Sequence, residues 1–196
     1  MSAAVVPSHV RHYYRRKRPP FLNLSDLPDD ELEVVRARLV EEGRAGTNHR
    51  NFGPRYMELR RRTESKMREL FIEGGGEPER LAPHYFVLGQ SSWFEGLSPD
   101  MAYVELPLGS LPDAQTSFTH PDSFTAMALG PDYGVPYEPR PCHEQVFRLA
   151  DLPAVVEQFG LPEDPGATGY EGYAGRPFEM YVEVQVWTDE PVAEHL

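Results

Sequence analysis

The chain has 196 residues, 40% of them hydrophobic and 11% aromatic, and a formal net charge of −12 at neutral pH. That is enough chain and apolar content for one domain to bury its own core, and it excludes wholesale disorder. A lone cysteine, Cys142, excludes an internal disulfide framework and a multi-cysteine zinc site. No apolar run is long enough for a membrane-spanning helix and no signal-like apolar stretch follows the N-terminus, so the expectation is a soluble, cytoplasmic protein.

The charge is uneven along the chain. The first 70 residues carry 15 Lys/Arg against 10 Asp/Glu, and the remainder carries 4 against 21. Residues 1–20 read as a flexible basic arm, HVRHYYRRKR over His9–Arg18, closed by Pro19-Pro20. Ser25 and Asp26 ahead of Leu27-Pro28 predict a helix start, Leu32, Val35 and Leu39 keep one helical face apolar, and Gly43 marks its end. Gly53-Pro54 opens a second helix, in which Tyr56, Leu59, Thr63, Met67 and Leu70 share a stripe and the basic residues form an outer side. Gly74–Gly76 ends it.

Beyond Pro83 the period shortens. His84–Leu88, Met101–Leu106, Gln115–Thr119, Phe124–Ala128, Gln145–Arg148 and Glu179–Trp187 read as short strands, with a helix over Asp151–Phe159 and a Gly-rich loop over Gly166–Gly175. The fold class is α+β: N-terminal helices over 21–76, then a strand-rich body of mostly antiparallel short strands over 77–196, forming one domain. In the last strand, Val182, Val184 and Val186 fall on a core face, and Tyr181, Glu183, Gln185 and Trp187 on the other.

Several chemistries have no footing. There is no GxxxxGK[ST] phosphate loop, no GxGxxG after a strand and no GxSxG elbow. The histidines are scattered and Cys142-His143 are adjacent, so no metal site is expected. The basic residues suit nucleic acid, with Arg15, Arg16, Lys17 and Arg18 in the arm and Arg61 and Arg62 on the second helix as phosphate-binding candidates.

Three segments stand out in order: YFVLGQSSW from Tyr85, VELPLGSLPDAQTSFTHPDSFTA from Val104, and VEVQVWTDEPV from Val182. Over roughly residues 84–192 they resemble the DarT-type ADP-ribosyltransferases, which run from a YF-x-PRSPM-like segment through an FTDG-like turn to a late strand bearing the catalytic glutamate. The resemblance implies an ADP-ribosyltransferase-like body with NAD as co-substrate and no metal, possible toxin or nucleic-acid-modifying roles included. Glu183 falls at the glutamate position, where it would stabilise an oxocarbenium-like ribose. The family's arginine falls on Gln90, taken here as a second catalytic position. Tyr85, Phe86, Ser91, Trp93, His120 and Ser123 would line the cofactor cleft. The family's N-terminal His/Thr element, which holds the NAD amide, has no counterpart read before Leu27. The alternatives are a non-catalytic interaction protein working through its basic N-terminal third, and a small-molecule enzyme using the same cleft without NAD.

Overall fold

The computed structural model describes residues 5–47, 52–163 and 178–196; the Gly-rich loop over 166–175 lies outside them. Six strands, β1 (His9–Arg15), β2 (His84–Leu88), β3 (Met101–Pro107), β4 (Thr116–Thr119), β5 (Phe147–Arg148) and β6 (Glu183–Val186), form one sheet in the order β3-β1-β2-β6-β4-β5. Every neighbouring pair is antiparallel. With helices near the N-terminus, the architecture is α+β. Among the described residues no helix is long and apolar enough to cross a membrane.

Register decides what each face carries, because side chains alternate across a strand. Phe86 pairs with Val184, which pairs with Phe118. Together with Val10, Leu88 and Val186 they point to one face, where Leu152, Val155 and Val156 of helix α5 (Leu152–Phe159) cover them. Val184, Val186 and Phe118 are fully buried, each stabilising the fold by about 1.5–3 kcal/mol through lost apolar surface.

The opposite face carries the row Arg11–Val87–Glu183–Thr119 and the pair Tyr85–Gln185. Helix α2 (Tyr56–Glu73) closes part of it, packing Met67 and Phe71 against Tyr85 and Trp187. Helix α1 (Asp29–Arg44) starts after Pro28 with Asp29, Asp30 and Glu31 in its first turn, where acidic side chains suit the helix dipole. It buries Leu32 and Leu39 against Leu24 and Met57.

Two expectations need correction. The basic segment expected to be a flexible arm contains β1, an inner strand paired with β3 along all seven residues and with β2 at Val10 and Arg11 on its other side. Its arginines are held by carboxylates distant in sequence: Arg11 by Glu105 at 2.9 Å, and Arg15 by Asp100 at 2.8 Å and Glu42 at 2.6 Å. Phe124–Ala128 is no strand. The Asp122 carboxylate accepts from the Thr125 amide at 3.1 Å and caps a single helical turn, α4 (Ser123–Ala126).

Strand β2 ends at Gly89, whose φ of 72° lies in the left-handed region and whose Cα approaches Pro7 so closely that a Cβ would meet its ring at 3.0 Å. The chain then turns away from the sheet into α3 (Ser92–Glu95), which places Trp93 beside the cleft described next.

Candidate functional site

Glu183 opens β6 at the centre of the sheet, between Val87 of β2 and Thr119 of β4. An exposed edge strand would leave this face in water. Here Glu183 is only 8% exposed, and Gln185 and Trp187 are fully buried. A polar chain makes that tolerable. Trp187 Nε1 donates to Ser117 Oγ at 2.8 Å, Ser117 Oγ donates to Gln185 Oε1 at 2.9 Å, and Gln185 Nε2 donates to Glu183 Oε1 at 3.1 Å and Thr119 Oγ1 at 3.1 Å. Buried polar groups need such partners, and the chain fixes the Glu183 carboxylate from behind.

Glu183 is one of the residues lining a cleft of about 550 Å³, within the usual range for small-molecule sites. Tyr85, Trp93, Phe94, Phe124, Phe178 and Tyr181 give it aromatic walls, and Arg60, Asp122 and Glu183 are among its titratable lining groups. Trp93 packs edge-on to Phe178 at 5.3 Å and stacks toward Tyr181 at 6.1 Å, so the ring wall is held by ring contacts.

Helix α2 supplies the far side. Arg60 lies 4.9 Å over the Tyr85 ring and donates to Glu64 at 2.9 Å, Asn23 at 2.9 Å and Tyr56 at 3.0 Å. The Tyr85 hydroxyl donates to Glu64 at 2.8 Å. Burial, then the Glu64 charge, pushes the Tyr85 hydroxyl well above its ordinary value, so it works as a neutral donor. Asp122 is fully buried at the foot of the cleft, and burial followed by the Glu183 charge pushes its carboxyl up to about 8.

The structure gathers Tyr85, Phe86, Trp93, Ser123 and Glu183 around one cleft. Phe86 runs along the cleft wall, but its ring packs into the opposite layer against His12 and Phe21. Three other candidates lie outside the cleft lining. Gln90 is exposed and donates to Glu95 at 3.3 Å. Ser91 caps α3 through Phe94 N. His120 directs Nε2 at the Gly160 carbonyl, 2.8 Å away, and burial lowers its pKa.

β1 brings a histidine of the basic segment, His12, beside β2. Its Nδ1 donates to the Tyr85 carbonyl at 2.8 Å and its Nε2 accepts from the Phe21 amide at 3.0 Å. Both ring nitrogens are thereby committed to the backbone, so His12 braces the strands.

The phosphate-binding candidates divide. Arg15 and Arg18 border the cleft and share Glu42, at 2.6 and 3.0 Å. Arg16 and Lys17 are exposed in the following turn. Arg61 and Arg62 are about half-exposed and pair with Asp29 and Asp132. The basic side of α2 is thus largely matched by the chain's own carboxylates, and Arg60 is drawn inward.

Sequence reasoning missed Arg60, Glu64 and Asp122. The first two had a signal, an Arg–Glu pair four residues apart on the buried side of a helix. Asp122 had one too, an Asp directly after proline and three residues before Thr125, the pattern of a helix cap. Comparison of the chain with protein families, curated proteins and solved structures finds no match.

Proposed function

We propose that the chain is an NAD-dependent ADP-ribosyltransferase, with Glu183 as its catalytic carboxylate. The observation that carries this reading is the position of Glu183: a carboxylate at the centre of the sheet, buttressed by Gln185, opening into a cleft of aromatic rings. The three segments on which the family resemblance rests also converge there, through Tyr85 and Trp93, through Asp122 and Ser123, and through Glu183. NAD supplies an activated bond between nicotinamide and ribose.

The residues present fit such a molecule. Flat apolar walls from Trp93, Phe94 and Tyr181 suit an aromatic base, and the Tyr85 oxygen, its proton given to Glu64 in a hydrogen bond, can accept from a hydroxyl or carboxamide. Glu183 is placed to stabilise positive charge developing on a sugar, and a fixed carboxylate in a water-poor site does this well. Gln185 and the Ser117–Trp187 chain hold it without reorganisation.

Saturation-transfer NMR with NAD tests the reading. Transfer to both the nicotinamide and adenine protons is expected, and Trp93→Ala should weaken it. Transfer to small sugars or amides but none to NAD would favour a small-molecule enzyme using this cleft, and no transfer to any ligand would favour the interaction-protein alternative.

A further inference from the structure

We propose that Asp122 and Glu183 form a carboxyl pair holding a single proton, seated on Asp122, so that Glu183 alone carries the pair's charge into the cleft. The backbone brings the two together: the Glu183 amide donates to the Pro121 carbonyl at 3.2 Å, immediately before Asp122. Asp122 is fully buried. Its Oδ1 accepts from the Thr125 amide, while its Oδ2 is buried with no hydrogen-bond partner. No cation pairs with Asp122 among the described residues. Glu183 has the better seat for a charge, with the Gln185 amide on Oε1 and 8% of its surface exposed where Asp122 has none.

Two neighbouring buried carboxyls cannot both ionise cheaply, and the proton goes to the one whose charge is least supported. That one is Asp122, and its upward-shifted pKa agrees with this. The other charged and titratable groups nearby do not reverse the assignment. His120, on the same turn, is committed to the Gly160 carbonyl, and burial holds it toward its neutral form. Arg140, which acts on His120, is paired with Glu179 at 2.7 Å. The Arg60–Glu64 pair of α2 meets Tyr85, which stays protonated.

Asp122 is therefore a positioning residue that acts through Glu183. What Glu183 does to a ligand rests on the proposed reading; where the proton sits does not. As pH rises toward 8 the pair acquires a second negative charge, and the second charge perturbs Glu183 and the turn that carries Asp122.

Difference infrared spectroscopy of the full chain tests the assignment without any ligand. At neutral pH a protonated-carboxyl C=O band is expected, lost in Asp122→Asn and retained in Glu183→Gln. A band lost in Glu183→Gln and retained in Asp122→Asn would overturn the proposal, as would no band at all. The pH profile of NAD turnover is the second readout. An alkaline fall in rate near pH 8 is expected in the wild type and should be absent from Asp122→Asn; an alkaline fall unchanged by that substitution would also overturn it. If no variant turns over NAD, the ADP-ribosyltransferase reading fails while the infrared result still decides where the proton sits.

Discussion

The Tyr85 hydroxyl donates to Glu64 at 2.8 Å, so a strand that lines the cleft is tied to helix α2 by a carboxylate that is itself paired with Arg60. Arg60 and Glu64 are both largely buried, with side-chain exposures of 15% and 4%. Removing one partner strands the other's charge in a poorly solvated site.

Arg60→Ala should therefore destabilise the fold by about 3–5 kcal/mol. The double change Arg60→Met with Glu64→Leu should recover part of that loss, because it removes both charges, the remainder being the Tyr85 hydroxyl left without Glu64 and the Asn23 oxygen without Arg60. Urea unfolding of the three chains measures it. A loss below about 1 kcal/mol for Arg60→Ala would show the pair to be as weak as a surface ion pair.

Asp122 makes stability fall with rising pH. Its folded-state pKa of about 8 lies above the ordinary 3.8, so the native state keeps a proton that the unfolded chain releases. The stabilisation is complete below about pH 4 and is lost as pH rises toward 8. Asp122→Asn keeps a capping oxygen for Thr125 and carries no charge. It should flatten that slope and be more stable than the wild type by on the order of 1–3 kcal/mol at pH 9. Thermal melts across this range check it; parallel curves for the two proteins would contradict it.

Arg61 and Arg62 pair with Asp29 and Asp132 across exposed surface, an arrangement worth at most about 1 kcal/mol each. Reversing both to Glu should shift stability little. If this helix makes no phosphate contact, any duplex binding by the chain should weaken only modestly, through the more negative overall charge. A salt-steep affinity abolished by the reversal would restore the nucleic-acid role for this helix.

How legible these features were depends on where each residue finds its partner. Strand β2 was readable to the residue, since HYFVL is a compact apolar run ended by a glycine. β1 was not. Its alternation is real, with Arg11, Tyr13 and Arg15 on one face, but that face is cationic and looks like a solvated tail. The carboxylates that neutralise it, Glu42, Asp100 and Glu105, lie 27 to 94 residues away. The valine face of β6 was readable from periodicity. Burial of its other face was not, because Gln185 and Trp187 are satisfied by Ser117 and Thr119 of a strand nearly 70 residues earlier. Glu183 could be singled out from the order of motifs. Asp122 was legible as a helix cap, but its nearness to Glu183 was not, because that depends on the fold setting the Pro121 carbonyl against the Glu183 amide.

The most direct measurement is nicotinamide release from NAD by the wild type and by Glu183→Gln, with NAD affinity measured for both. The substitution keeps the shape of the side chain and removes its charge. Release should fall by about 10²-fold or more, as for loss of an electrostatic stabiliser, while NAD affinity changes by less than about 10-fold. A Gln variant that releases nicotinamide at the wild-type rate, or a wild type that neither binds nor cleaves NAD, would contradict the assignment of Glu183 and the function proposed from it.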